Sequence, residues 1–144
     1  MKATDFTIST DKSKLQPDVI HGFLTNSYWA KNISKELVKR SIENSLCFGV
    51  YDREKQIGFA RIISDCTTFA YLADVFILEE YRGQGISKKL MEFIMNYPEL
   101  QGLRRWMLAT RDAHRLYAQY SFKPLAISDR WMELHFPDVY QTKN

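Results

Sequence analysis

The densest set of chemically suggestive residues lies in "EEYRGQGISKKLMEFIM", residues 79–95, where Arg82, Gly83, Gly85 and Lys88 fall within seven positions. The two glycines follow an apolar, strand-like run and precede a helical pattern. A strand that turns into a helix through glycine aims several backbone N–H groups at one spot. The first amides of a helix lack an internal partner, and the helix dipole adds about half a positive charge there. The chemistry is therefore anion binding. Glycine permits unusual dihedrals and leaves no Cβ in the way of a phosphate. Arg82 at the rim and Lys88 one turn into the helix would add charge-assisted contacts.

A purely structural glycine turn is the alternative. Two stricter phosphate motifs are absent. There is no Gly-x-x-x-x-Gly-Lys-Ser/Thr loop, and a dinucleotide fingerprint would need a third glycine where Lys88 stands. What remains is a diphosphate cradle of another kind.

The surrounding pattern supplies the elements that must hold such a turn. "DFTIS" alternates Phe6 and Ile8 with polar neighbours, the period of an edge strand. Val19, Ile20, Phe23 and Leu24 recur at helical spacing over 16–26. Ile33, Leu37, Val38 and Ile42 do the same in a second helix with Ser34 as its N-cap. Three strand-like runs follow, 46–52, 56–64 and 68–78, with breaks short and polar enough for an antiparallel meander. After Gly85, Ile86, Leu90, Phe93, Ile94 and Tyr97 form one helical face. "RRWMLAT" reads as a further strand, 113–120 as a short helix with Asp112 as its cap, and "RWMELHF" as a last strand by its period of two. The order is α+β in its hairpins and α/β around the glycine turn.

Composition bounds the function. A chain of 144 residues suits one domain, 1–144, and its 45% hydrophobic and 26% charged content is that of an ordinary globular protein. A net charge of +3 from 20 basic and 17 acidic residues is too mild to suggest nucleic-acid binding. Cys47 and Cys66 sit in apolar stretches without metal-ligand spacing and read as reduced core thiols. His21, His114 and His135 are too scattered for a metal site. No membrane span or signal peptide is visible, and a cytoplasmic protein is expected.

The stretch Arg82-Gly83-Gln84-Gly85-Ile86-Ser87 resembles the Arg/Gln-x-x-Gly-x-Gly/Ala loop of the GNAT superfamily of acetyl-coenzyme A dependent N-acetyltransferases. "LADVFILEEYR" is similar to that family's central strand, and "RLYAQYSFKP" to its Leu-Tyr-x-x-x-Gly-Phe segment. Ser87 stands where glycine or alanine is usual, and Ser121 where the second segment has glycine. Serine at 87 keeps the approach open and adds a donor. The likeness runs from Phe6 to Phe136. It implies layered α/β/α architecture: a mixed, mostly antiparallel, splayed sheet of six to seven strands flanked by about four helices.

The resemblance also implies roles. The loop amides from Arg82 to Lys88 would hold the pyrophosphate of acetyl-CoA, and Val75, Phe76 and Ile77 would pair with its pantetheine arm as if it were a strand. An N–H of Phe76 or Val75 would face the thioester oxygen. An alkyl amine, with a pKa of about 10, must lose a proton before attack. Asp74, the one acid inside an apolar strand run, is the local candidate for a base, with a plain hydrogen-bonded or exposed aspartate as the alternative. Tyr117 matches the family's tyrosine and would protonate the leaving thiolate; without the resemblance it reads as a core aromatic. Tyr28 and Trp29 lie where the acceptor rim would be, as an aromatic box or as anchors on the core. Arg61, Asp65 and Arg130 are further polar candidates for the cleft.

The expected activity is N-acetyl transfer, in a ternary complex, to a primary amine of a small molecule or peptide. No metal, nucleic acid or membrane partner is expected, and a homodimer is possible. The rivals are a non-catalytic acyl-CoA sensor and an adaptor using Arg104, Arg105, Arg111 and Arg115 as a basic face.

Overall fold

The computed structural model of the chain describes residues 5–141; the ends of the expected 1–144 domain, 1–4 and 142–144, lie outside the described residues. Strand β1 (Thr7–Ser9) is followed by helices α1 (Pro17–Leu24) and α2 (Lys35–Glu43). Pro17 opens α1 with its backbone angle already helical. Ser34 caps α2, its hydroxyl accepting from the Leu37 N–H at 3.2 Å. Each helix buries a pair four residues apart, Ile20 with Leu24 and Val38 with Ile42, so one face of each packs on the sheet.

Strands β2 (Leu46–Asp52), β3 (Lys55–Ser64) and β4 (Phe69–Ile77) form the expected antiparallel meander. Helix α3 (Ile86–Met95) then crosses over to β5 (Arg105–Leu108), which lies parallel to β4. A parallel pair needs such a crossover because its ends lie at opposite edges. The strand order is β1-β2-β3-β4-β5. A last short helix, α4 (His114–Ala118), buries Tyr117.

Apolar residues divide between the two faces of the sheet by strand alternation. Phe48, Val50, Ala60 and Ile62 face α3, meeting Ile86, Leu90, Met91 and Ile94. Cys47, Phe59 and Phe76 face α1 and α2. This is the expected layered α+β arrangement with a mostly antiparallel sheet.

Four readings are corrected. The sheet has five strands among the described residues, not six or seven, because residues 130–136 form no strand. Their alternation was legible, but Met132, Leu134 and Phe136 have no sheet to cover. Asp112 does not cap α4; the cap position is Ala113, whose N–H is taken by Thr110 Oγ1 at 3.0 Å. On α3 it is Met91 that is fully buried, while Phe93 is exposed. Cys47 is a core thiol, its ionisation pushed up to about 11 by burial, but Cys66 is exposed in a turn with φ of 58°.

Candidate active site

Two features of β4 organise the site. The first is where its neighbour stops. Pairing with β5 runs from Phe69↔Arg105 to Leu72↔Leu108 and ends there, so residues 73–77 have no strand on that side. The sheet is splayed. The second is a bulge: Phe59 pairs with Phe76 and Arg61 with Ala73, so Asp74 and Val75 together oppose Ala60 alone. Asp74 takes up the extra length with φ of 57°, a left-handed conformation that aspartate tolerates better than most residues.

The bulge is locked by the aspartate itself. Arg61 Nε donates to Asp74 Oδ2 at 2.8 Å, with side-chain exposures of 17% and 9%, and Trp29 Nε1 donates to Asp74 Oδ1 at 2.8 Å. Arg61 Nη1 continues to Ser45 Oγ at 3.0 Å. Both carboxylate oxygens are therefore engaged. Next along the strand, the buried ring of Phe76 stacks on Phe23 of α1, centroids 4.1 Å apart and planes at 9°. Ile77 is buried among the residues under α3. Of Val75, Phe76 and Ile77, the last two commit their side chains to the core.

Beyond β4, a 3-10 turn (Glu79–Tyr81) leads into the glycine loop. Gly83 and Gly85 have φ of 81° and 77°, which side chains rarely adopt, and no atom lies within 4 Å of where a Cβ on either would stand. Gly85 occupies the N-cap of α3 without any side-chain cap. The first helical N–H to find its partner is that of Lys89, on Gly85 O at 3.2 Å, and among the described residues the N–H groups of 83–88 have no acceptor in the protein. The helix end is thus uncapped, positive and open. Arg82 and Lys88 are exposed beside it. Arg82 Nε donates to Ile77 O at 2.9 Å, which closes the loop onto the strand end. Gln84 Nε2 reaches Tyr81 O at 3.4 Å, while its Oε1 is buried without a partner. Ser87 is half-buried; Ile86 turns its side chain into the core and has only its amide to offer the loop.

At the other end of the unpaired stretch opens a cleft of about 1190 Å³. The bulge, the end of β5, the 28–30 connection, Tyr117 and the carboxy-terminal segment border it. Tyr117 is 8% exposed, and burial first, with Tyr28 second, pushes its phenol above the ordinary tyrosine value. Its hydroxyl has no hydrogen-bond partner among the described residues. Tyr28 stands at the mouth, half-exposed, with the Arg111 guanidinium 4.0 Å from its ring centroid and Trp29 edge-on at 5.1 Å.

The fold thus brings together Tyr28, Trp29, Asp74, Val75 and Tyr117 around one cleft, and sets Arg82 to Lys88 at the far end of the same strand. Arg61 borders the cleft; Asp65 instead closes the turn after β3, accepting from the N–H groups of Thr68 and Thr67, the Thr68 hydroxyl and the Phe69 N–H, which hold its carboxyl well below the usual range. Sequence reasoning missed Arg40, Arg111, Glu133 and His135, which also border the cleft. No local pattern marks them, since they come from three separate parts of the chain. Ser121, where a glycine was expected, keeps the glycine-like conformation with φ of 73°. Among the described residues no three His, Cys, Asp or Glu side chains cluster as metal ligands, and no helix is long and apolar enough to cross a membrane.

A splayed strand, an uncapped glycine loop and a cleft between them are the marks of one class of fold. Residues 43–124 match the family model described as "Acetyltransferase (GNAT) domain". The chain belongs to the GNAT family of acetyltransferases. It is 31% identical to a protein of Gibberella zeae named "Putative acetyltransferase FG08082", over 80% of this chain and 77% of that one. It is 51% identical to a GNAT-family protein of Xanthomonas campestris pv. campestris whose crystal structure superposes with a TM-score of 0.93, covering 95% of this chain and 97% of the other. A GNAT acetyltransferase of Elizabethkingia anophelis, solved with acetyl-CoA bound, shares the fold at 15% identity and a TM-score of 0.64, over 90% of this chain and 86% of that one.

Proposed function

We propose that this chain, as a single domain over 1–144, transfers acetyl from acetyl-CoA to a primary amine of a small molecule or peptide by direct attack while both substrates are bound. The observation that carries the reading is the continuous track formed by the partnerless amides of 83–88, the unpaired edge of 73–77 and the cleft holding Tyr117. The residues fit the coenzyme: the open, uncapped loop suits a diphosphate, with Arg82 and Lys88 as flanking cations, and the backbone of Val75, Phe76 and Ile77 suits an extended amide-bearing arm. When bound, acetyl-CoA supplies an acetyl thioester at neutral pH. An acetyl-CoA complex in the Elizabethkingia relative is consistent with that assignment.

The chain's own groups then have distinct tasks. The backbone N–H of Val75, on the open side of β4, is the donor available where negative charge develops, while that of Phe76 is turned to Phe59 in the β3–β4 ladder. Tyr117 stays protonated at neutral pH because burial disfavours the phenolate, so it is kept as a proton donor. Asp74 is already occupied on both oxygens, and taking a proton there would break the Arg61 pair. We therefore assign Asp74 to holding the bulge and Trp29 in place, and removal of the amine's proton to water in the open cleft. Tyr28, with Arg111 stacked on it, forms the acceptor rim. The free thiols of Cys47 and Cys66 fit the reducing cytoplasmic setting we infer.

The test is calorimetric titration with acetyl-CoA, followed by a panel of amines assayed for released thiol and for the mass of one acetyl group on the acceptor. Binding with no thiol release from any amine would favour the sensor; no binding would remove the reading altogether.

A further inference from the structure

The carboxy-terminal segment has the pattern of a strand and no strand to join. Trp131 enters it in extended geometry (φ −98°, ψ 137°), with the Arg105 guanidinium of the outermost strand 4.9 Å from its ring centroid. Tyr140 anchors the far side in the cluster under α1 and α2. Between these anchors Met132, Leu134 and Phe136 are 96%, 84% and 64% exposed, and the N–H groups of 132–136 have no acceptor among the described residues. Apolar side chains on an unpaired backbone are a template for strand addition.

The residue order says what strand would fit. Read outward from Leu134, the segment is Met132-Glu133-Leu134-His135-Phe136. Laid antiparallel on an identical segment about a two-fold axis at Leu134, it sets Leu134 against Leu134 and Met132 against Phe136. The same register sets Glu133 against His135. Because side chains alternate, both apolar pairs share one face and the acid–imidazole pairs share the other. A slip of one residue would put Leu134 opposite a polar group and destroy both sets. Such self-complementarity is what an isologous contact requires.

We propose that two copies of this chain associate by antiparallel pairing of residues 132–136 about Leu134. Glu133, Leu134 and His135 all border the cleft, so pairing here brings groups of each copy to the other's cleft wall. The proposal is independent of the acetyl-transfer reading.

Sedimentation velocity over a concentration series tests it. The unmodified chain is expected to dimerise. Leu134→Glu, which places two carboxylates at the axis, should weaken the dimer at least about tenfold. Leu134 is exposed, so an unchanged thermal melt is expected to show that the fold survives. Glu133→His and His135→Glu should each weaken the dimer, and the double variant should restore it by re-forming the pair in reverse order. In a Cys66→Ser background, Leu134→Cys should form an intersubunit disulfide, since directly opposed Cα atoms lie about 4.5–5.5 Å apart. Met132→Cys should not, being about 14 Å from its own mate. A monomer at every concentration, a dimer indifferent to Leu134→Glu, or no rescue by the double exchange would each overturn the proposal.

Discussion

Substitution at Gly85 separates the two jobs assigned to the loop, forming a tight turn and leaving room for an anion. Gly85 has φ of 77°, and a Cβ there would meet no protein atom within 4 Å. Alanine therefore suffers no clash, only the left-handed penalty of about 1–2 kcal/mol, less the smaller backbone entropy it loses on folding. The net cost should be near 1 kcal/mol, a fall of about 4 °C in melting temperature for a chain of this size. Asparagine tolerates the left-handed region better, so Gly85→Asn should melt at or above Gly85→Ala. Its side chain, however, extends further into the open space over the helix end. If the partnerless amides grip a diphosphate, affinity for acetyl-CoA should run the other way, with losses of about tenfold for alanine and more for asparagine, each tenfold being about 1.4 kcal/mol. Calorimetric titration beside thermal melts reads both orders. Equal affinity in all three proteins, or affinity that simply tracks melting temperature, would refute the cradle.

Tyr117→Phe should leave the fold intact, because the hydroxyl has no partner to lose, and lower turnover by about 10²-fold or more with little change in acceptor KM. Burial raises this phenol, so the protonated form and any activity depending on it should persist beyond the ordinary tyrosine pKa of about 10 and fall only above it. An alkaline limb that survives in the Phe variant would exclude Tyr117 as its source. Asp74→Asn, which keeps a residue tolerant of φ of 57° but removes the charge facing Arg61, should cost about 3 kcal/mol in urea unfolding. If Asp74 positions Trp29, its activity loss should appear mainly in acceptor KM; a loss of 10²-fold or more in kcat alone would instead make it the base. Ser121→Gly should raise stability by about 0.5–1 kcal/mol by relieving the left-handed serine at φ of 73°, and a destabilised variant would show that the hydroxyl matters more than the backbone.

Local regularity made most of this fold legible. The meander of β2, β3 and β4, the Ser34 cap and the glycine entry to α3 rest on patterns spanning a few residues, where propensity and burial agree. Residues 131–136 failed for the opposite reason: alternation describes a segment's faces, but a strand exists only where its backbone pairs, and 132–136 make no backbone hydrogen bond to the open outer edge of β5. The site divides in the same way. The loop from Arg82 to Lys88 was readable because contiguous backbone makes it. The contacts of Asp74 with Arg61 and Trp29 were not, since the bulge that turns its carboxylate toward them depends on a register between β3 and β4 that spacing alone does not reveal. Arg111 over Tyr28 joins residues more than eighty positions apart and carries no signature in either neighbourhood.

The flat stack of Phe76 on Phe23 gives the strand a lever arm. Phe76 sits between Val75 and Ile77, whose backbone faces the splayed side of β4, and its ring bears on α1, the helix that leads into the connection carrying Tyr28 and Trp29. Any adjustment of the strand as its open side fills is felt, through two rigid rings in contact, at the mouth where the second substrate enters. Donor and acceptor sites built on such a linkage need not act as separate compartments, and the natural sequence of events is that filling the first sets the shape of the second.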